Sequence, residues 1–287
     1  MTGSDPGTAY RAGHYAFTVE SHVPDPDGVI PRLMSVFGTA VGPAADDARY
    51  VIAGDPDRAD TYRLIAHDEP IDEVTALGTI VDWVIADVTR RGVASLDGGP
   101  ALHAGAVALD EAGVILAGAS GAGKSTLTAA LVTAGAAYLS DEVAVIDPAA
   151  RTVAPFPRPL VLDPDSIVAI DGLQERLPPA GEGFRLMRYH VTPQDLGSTI
   201  ATGPVPLALV VAPRFVKGAV TTVEPLSRGE LLVVLASHVF GTIDAVETAL
   251  RELKDVAMTV PGFRVSGGDV VRARAEVQRL LMEARGA

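Results

Sequence analysis

Residues 113–135 read GVILAGASGAGKSTLTAALVTAG and contain the strongest structural signal in the chain. An apolar run typical of a buried strand leads into a glycine-rich segment, which continues into a pattern typical of a helix. We predict a strand over residues 114–117, a loop, and a helix over residues 124–133 that ends at Gly135. A strand, a glycine-rich loop and a helix in this order are typical of a nucleotide-binding α/β domain.

The loop matches the P-loop (Walker A) pattern G-x-x-x-x-G-K-[ST] at each fixed position. Its glycines allow backbone angles that other residues rarely adopt, so successive N–H groups can turn inward around an anion. The helix N-terminus adds partial positive charge, Lys124 neutralises the β- and γ-phosphates, and the Ser125 hydroxyl is placed to ligate Mg²⁺. We therefore predict that ATP and Mg²⁺ bind to Gly118, Ala119, Ser120, Gly121, Ala122, Gly123, Lys124, Ser125 and Thr126.

Two alternatives remain open for this loop. A glycine turn that precedes Lys-Ser by chance would match the same letters without binding a phosphate. GTP would be a second donor, but the sequence contains no Asn-Lys-x-Asp motif of the kind that reads guanine. ATP is favoured on that ground alone.

Composition narrows the classes of partner. The chain has 287 residues, a formal net charge of −13, 21% charged residues and no cysteine. It lacks the excess of Lys and Arg that nucleic-acid phosphates require, and disulfides and thiolate zinc sites are excluded. The N-terminus has no apolar signal core, and the longest apolar run, residues 205–213, is too short to span a bilayer. We expect a cytoplasmic protein with neither a nucleic-acid nor a membrane partner.

The hydrophobic patterns predict an α/β chain in three parts. We predict a disordered leader over residues 1–13, a small α/β domain over residues 14–94 and a P-loop domain over residues 95–287. The phosphate loop is expected at the C-terminal edge of a central sheet, where open α/β sheets bind ligands.

One helix dominates the first half of the sequence. Its apolar stripe begins at Val74, with Asp72 and Glu73 expected in the first turn and Gly92 at the end. In the second half, residues 102–109 and 114–117 are predicted to form a hairpin, and residues 138–146 one strand. Further elements are predicted as a strand at 207–212, helices at 230–239, 246–254 and 270–284, and a strand at 256–260.

Three stretches around the loop carry a family resemblance. They are LHAGAVAL at 102–109, GAAYLSDEVAVID at 135–147 and FPRPLVL at 156–162, in this order around the glycine-rich loop. With these motifs the chain resembles the kinase domain of the HPr kinase/phosphorylase family, and in particular the shorter relatives within that family. The family is related in fold to phosphoenolpyruvate carboxykinase. The resemblance covers residues 95–165 closely and 200–285 loosely. It implies a P-loop central sheet of the HPr kinase type.

The resemblance implies roles for three residues. His103 matches a family histidine close to the phosphates. Asp141 matches the acid that removes a proton from the acceptor hydroxyl, and Glu142 matches a metal-binding acid that is usually aspartate. From the residues alone, the acid pair could instead be a solvated strand end and His103 a partly buried structural residue. Asp147 imitates a Walker B acid but is interpreted as structural.

Three arginines complete the candidate site. Arg214 ends the strand predicted at 207–212 and is a candidate for stabilising charge on the transferred phosphate. Arg158, between two prolines, either binds a phosphate or an acidic substrate group or is a surface arginine. Arg188 lies with Arg185, Tyr189 and His190 in a stretch that could form a substrate loop.

Together these features predict a kinase that uses ATP and Mg²⁺ to phosphorylate a hydroxyl, with serine preferred, on a peptide, protein or small molecule. Two rivals stay open: a slow ATPase that regulates a partner, and a metabolite kinase without a peptide substrate. The family's Glu-Arg-Gly signature is not found in the sequence, which argues against the HPr protein as acceptor and against the reverse reaction. The resemblance also allows a homo-oligomer.

Overall fold

The computed structural model describes residues 8–25, 28–40, 48–55, 57–58, 61–74, 76–177 and 188–286. These residues form a mixed α/β structure, which confirms the predicted class. In chain order the elements are β1 (Ala9–Ala12), β2 (Tyr15–Ser21), α1 (Val29–Met34), β3 (Arg49–Gly54), β4 (Tyr62–Ala66), β5 (Glu69–Val74), α2 (Leu77–Ala94), β6 (Ala101–Leu109), β7 (Ala112–Ala117), α3 (Lys124–Thr133), β8 (Ala137–Ser140), β9 (Val143–Asp147), β10 (Thr152–Ala154), β11 (Leu160–Leu162), α4 (Pro164–Ala169), α5 (Leu173–Arg176), β12 (Tyr189–Val191), β13 (Val205–Phe215), β14 (Thr222–Pro225), α6 (Arg228–Ala236), α7 (Ile243–Thr259), β15 (Gly262–Gly267) and α8 (Val270–Gly286).

The chain divides into two compact units, each of which is described here by itself. Unit 1 contains the described residues of 1–96, 157–159 and 178–192, and unit 2 contains those of 97–156, 160–177 and 193–287. The sequence patterns predicted a boundary after residue 94, but they did not predict that two short stretches of the second half group with unit 1.

Unit 1 is built on one sheet in the order β1-β2-β3-β4-β5. Strands β2 and β3 are parallel, and α1 lies between them in the chain, whereas the other pairs are antiparallel. Helix α2 packs against this sheet because its apolar side chains fall at helical spacing. Ile80, Val84 and Val88 are each at most 1% exposed.

Two expectations for unit 1 are wrong. Residues 9–12, predicted within a disordered leader, form β1, because this stretch pairs with β2 in an antiparallel hairpin. Residues 1–7 of that leader lie outside the described residues. Asp72 and Glu73, expected in the first turn of a helix, belong to β5, which pairs with β4, and α2 begins only at Leu77.

Unit 2 contains a sheet in the order β10-β9-β6-β7-β13-β15-β14, with β8 also paired to β6. Strands β7, β13 and β15 run parallel, so their C-terminal ends meet at one edge. Alternate residues of β6 face opposite sides: Leu102, Ala104 and Ala106 pack in a buried cluster that includes α6 and α7, whereas Gly105 faces α3. The glycine-rich loop follows β7 and therefore lies at the shared edge.

The hairpin between β6 and β7 turns tightly. Asp110 and Glu111 both have positive φ, 47° and 64°, which is the geometry of a two-residue turn that matches strand twist. This confirms a hairpin at the expected place, with β7 starting at Ala112 inside the predicted turn.

Other expected elements of unit 2 differ in part. The helix at 124–133 is confirmed, as is the closing helix near 270–284. The strand expected at 256–260 is wrong, because those residues continue α7 and its end, and the strand of this region is β15 at Gly262–Gly267. The strand expected at 138–146 divides into β8 and β9. Within the ranges described above, no helix is both long enough and apolar enough to cross a membrane.

Candidate functional site

The glycine-rich loop has the backbone geometry that its sequence predicts. Gly121 and Gly123 have positive φ of 76° and 91°, a region that other residues rarely adopt. A Cβ added to Gly118 would lie 3.2 Å from both the Ala122 Cβ and the Pro213 carbonyl oxygen. Three of the glycines are therefore required by conformation or by space, which is the property expected of a loop that wraps closely around a phosphate.

Lys124 lies inside this loop. The side chain is buried, and Nζ donates hydrogen bonds to the carbonyl oxygens of Gly118 at 2.8 Å and Ala119 at 3.2 Å. Burial lowers the pKa of Lys124, and the charges of Glu142 and Asp141 oppose that shift. The ammonium therefore lies within electrostatic reach of both candidate acids.

The two hydroxyl residues after Lys124 begin helix α3. Ser125 and Thr126 are partly buried, and Thr126 Oγ1 shares a 2.7 Å hydrogen bond with Ser166 Oγ of helix α4. Ser166 was not a sequence candidate, because nothing in the sequence connects α4 to the loop. The bond fixes the Thr126 hydroxyl and leaves Ser125 as the expected metal ligand of this pair.

Asp141 and Glu142 occupy a bend between β8 and β9, opposite β6. The bend forms because side chains take over backbone donors: Asp141 N–H donates to the Tyr138 hydroxyl at 3.0 Å, and the Ser140 hydroxyl accepts from the N–H groups of Glu142 and Val143 at 3.3 and 3.0 Å. Strand pairing with β6 keeps one register across the bend, from Ser140 opposite Ala106 to Val143 opposite His103. Tyr138 and Ser140 thus explain why the predicted single strand is interrupted at the acids.

Asp141 is almost fully buried, with 2% exposure. Tyr138, itself buried, donates its hydroxyl to Asp141 Oδ1 at 3.0 Å, so the same hydroxyl orients both the carboxylate and the backbone of the acid. A solvated strand end, the alternative considered from sequence, does not describe this residue. A buried, oriented carboxylate near a cation is typical of a catalytic acid or base, although structural pairs also occur.

His103 and Glu142 form a pair on the side of the loop where Asp141 lies. His103 Nδ1 lies 2.9 Å from Glu142 Oε1, and each side chain is about one-third exposed, 34% and 32%. The backbone N–H of Ala104 donates to the Glu142 carbonyl oxygen at 3.0 Å, and Phe240 contacts the imidazole edge-on with ring centres 5.8 Å apart. Because Ala104 pairs with Ala117, the residue before the loop, His103 lies next to the start of the glycine-rich loop.

Arg214 lies on the opposite side of the loop, near the end of β13. It is exposed, and its neighbour Phe215 donates a backbone hydrogen bond to the Ala122 carbonyl oxygen at 3.1 Å. The structure therefore places the Arg214 backbone beside the loop, as predicted from its position after a buried strand.

The other predicted residues belong to different surroundings. Arg158 and Arg188 are in unit 1. Arg158 is only 8% exposed, so the interpretation of Arg158 as a surface arginine is wrong. Arg188 is exposed. His190 Nε2 lies 2.8 Å from Asp82 Oδ1, also within unit 1. Arg185 lies outside the described residues.

Asp147 is exposed at the end of β9, where Oδ1 accepts a hydrogen bond from the Ala150 N–H at 2.9 Å. Its carboxylate caps a turn, which agrees with a structural role. His238 is half-buried just after α6, and its Nδ1 lies 2.7 Å from the Val234 carbonyl oxygen.

A magnesium ion would draw few ligands from the protein itself. Among the described residues, no three His, Asp or Glu side chains are grouped so that they could hold a metal ion. Mg²⁺ is usually bound through one or two protein groups together with substrate phosphates and waters. The hydroxyl of Ser125 and the partly exposed carboxylate of Glu142 are donors of the type such a site needs.

Comparisons with known proteins return no match, either to a family model or to a curated protein.

Proposed function

We propose that the protein is an ATP- and Mg²⁺-dependent kinase of the HPr kinase type, which transfers the γ-phosphate to a hydroxyl, with serine preferred. The observation that carries this proposal is the geometry beside the P-loop. Asp141 is buried and oriented by the Tyr138 hydroxyl, and strand β6, which pairs with the residue before the loop, carries His103 in contact with Glu142. A loop of this kind holds phosphates, and a carboxylate beside it can accept the proton of an attacking hydroxyl. The sequence motifs around the loop support the same family.

Each residue has a distinct part in this reaction. The loop amides and the Lys124 ammonium hold the β- and γ-phosphates. Asp141, oriented by the Tyr138 hydroxyl, accepts the proton of the acceptor hydroxyl. At the same time the oxygen of that hydroxyl bonds to the γ-phosphorus, and the bond from the γ-phosphorus to the β–γ bridging oxygen breaks. Arg214, whose backbone lies beside the loop at the end of β13, is the candidate for offsetting negative charge on the bound phosphates.

His103 and Glu142 support the γ-phosphate side. With Mg²⁺ bound through Ser125 and Glu142, the metal would neutralise charge on the phosphates and fix their orientation. His103 holds one oxygen of Glu142 through its Nδ1 contact at 2.9 Å. The second carboxylate oxygen then supplies the expected metal ligand.

Cytoplasmic ATP is the expected donor, since a chain without cysteine is compatible with a reducing compartment. The acceptor is expected to be neutral or basic rather than strongly acidic, because the chain carries a net charge of −13. This class includes a serine on a peptide or protein and the hydroxyl of an uncharged metabolite.

The test is transfer of label from γ-labelled ATP with Mg²⁺ to fractionated lysate, followed by mass spectrometry of the labelled product. We expect a phosphorylated hydroxyl with the unaltered protein and none with Lys124→Ala. Calorimetry on both forms measures Mg·ATP binding, which the variant should lose. Release of free phosphate with no labelled acceptor would favour the regulatory ATPase instead, and absence of binding by the unaltered protein would overturn the proposal.

A further inference from the structure

The strands on the two sides of β7 carry different residues to the loop. His103, Asp141 and Glu142 lie towards β6, β8 and β9, on one side of β7. Strand β13 lies on the other side of β7 and runs parallel to it. If phosphate transfer occurs beside the acids, the γ-phosphate lies on the first side, and the nucleoside leaves the loop towards the end of β13.

Phe215 stands at that end, anchored to the loop by its backbone. Its N–H donates to the Ala122 carbonyl oxygen at 3.1 Å, and its Cβ lies 3.5 Å from where a Cβ on Gly123 would be. The residue is nevertheless 56% exposed, although the strand before it is buried. An aromatic side chain held next to a phosphate loop and open to solvent is available to a ligand in that loop.

The segment that follows Phe215 is held in one conformation. Val216 N–H donates to the Gly267 carbonyl oxygen at 2.9 Å, and Gly268 N–H donates to that of Ala219 at 3.1 Å. A Cβ on Gly268 would come within 2.7 Å of the Val216 carbonyl oxygen, so the two loops touch through backbone alone. Such a surface is preorganised and loses little conformational entropy when a ligand binds.

The exposed side chains of this segment are mixed. Val216 is 39% exposed and Val220 82% exposed, and two cations, Lys217 between them and Arg214 before Phe215, are exposed as well. The ring of Phe215 is therefore an apolar surface flanked by cations, which suits the base of a nucleotide whose phosphates lie in the loop. Bases stack on aromatic rings regardless of their hydrogen-bonding pattern.

We infer that Phe215 is the residue on which the base of the bound nucleotide stacks, with Val216 and Val220 extending the apolar surface. The inference rests on the proposed binding of ATP in the loop. It assigns the base to the β13 side and the acceptor to the β6 side. The phosphate chain of the nucleotide then crosses the loop between them.

The test compares two ligands that share the phosphates and differ in the base: Mg·ATP and Mg·tripolyphosphate, each titrated by calorimetry. In Phe215→Ala we expect ATP affinity to fall about 5- to 150-fold, the range for loss of one stacked base, with tripolyphosphate affinity unchanged within about twofold. Phe215→Tyr keeps an aromatic face and should keep ATP affinity. Val233→Ala removes another exposed apolar side chain, 64% exposed on α6, and should change neither affinity.

The outcomes separate the two proposals. If the unaltered protein binds neither ligand, the proposed function fails and the base site fails with it. If it binds both, and Phe215→Ala leaves ATP affinity unchanged or weakens both ligands equally, the base site alone is overturned. If an aromatic acceptor, and not the base, stacks on Phe215, then Phe215→Ala should leave ATP affinity unchanged and raise the KM for the acceptor. That result also overturns the assignment of Phe215 to the base.

Discussion

His103 Nδ1 and Glu142 Oε1 lie 2.9 Å apart, joining β6 to the bend between β8 and β9. The contact ties the candidate metal ligand to the candidate phosphate-facing histidine. Each side chain retains about one-third of its exposure, so both can still reach a ligand. In the proposed kinase, the contributions of these two residues to catalysis should therefore depend on each other.

A double-mutant cycle measures this dependence. We expect His103→Ala and Glu142→Gln each to lower kcat, and the double variant to lose less than the sum of the two losses. Residues in direct contact usually show a coupling energy of about 0.5–3 kcal/mol. Glu276→Gln, which disturbs an exposed pair with Arg279 on α8, should leave kcat unchanged. Strictly additive losses would show that the contact has no part in transfer.

Asp141→Asn tests the proton acceptor. The amide keeps the size of the side chain but cannot accept the acceptor's proton, so we expect kcat to fall about 10²–10⁴-fold. Calorimetry should show Mg·ATP affinity close to that of the unaltered protein. Asp147→Asn, an exposed acid at the end of β9, serves as the matched control and should transfer phosphate normally. Normal transfer by Asp141→Asn would remove Asp141 from the mechanism.

Gly105 is expected to be required for the packing of α3 on the sheet. An added Cβ would lie 2.4 Å from Thr128 Oγ1, so Gly105→Ala should lower the free energy of unfolding by about 1–3 kcal/mol, the usual cost of overpacking. Thr128→Ala in the same chain removes the clashing atom and should restore most of the loss. Gly203→Ala, where a Cβ meets nothing within 4 Å, is the control for urea unfolding. Equal stability of Gly105→Ala and Gly203→Ala would contradict the close contact.

Asp87 is expected to make unit 1 sensitive to acid. Burial raises the pKa of Asp87, but hydrogen bonds from His67, Tyr50, Arg90 and Arg91 outweigh burial and hold it below its ordinary value. A carboxylate with a lowered pKa in the folded state stabilises the protein above the unfolded pKa, about 4, and that contribution is lost as pH falls towards the folded value.

Asp87→Asn checks this dependence. At pH 7 we expect the variant to be less stable by about 1.5–3 kcal/mol, the usual value of hydrogen bonds to a charged group. The difference should shrink below about pH 4, because Asp87 then takes up a proton in the unfolded chain while the folded protein still holds it charged. Trp83 is the chain's one tryptophan and lies in unit 1, with its ring 6.4 Å from that of Tyr50, so its fluorescence reports unfolding there. A difference that stays constant with pH would contradict the role of the charge. Glu283→Gln, which changes an exposed acid on α8, should show no difference at any pH.

The elements that sequence patterns predicted best are those whose cause is local. Helix α3 and the loop before it depend on glycines, on Lys124 and on an apolar strand, all within a few residues. Helix α2 was predicted with the wrong start, because the residues before Leu77 pair with β4 as a strand and that pairing outweighs helical spacing. The division of β8 from β9 was missed because the Tyr138 and Ser140 side chains compete for backbone donors there.

The chemistry around the loop shows the same division. From residues 113–135 alone a phosphate-binding loop can be predicted, since glycine conformations and a helix N-terminus are short-range properties. Which groups surround that loop depends on pairings between distant strands: β6 carries His103 to one side, and β13 carries Phe215 to the other. Residue spacing in the chain does not encode those neighbours, because they are selected by burial of the sheet's two apolar faces as the whole unit folds.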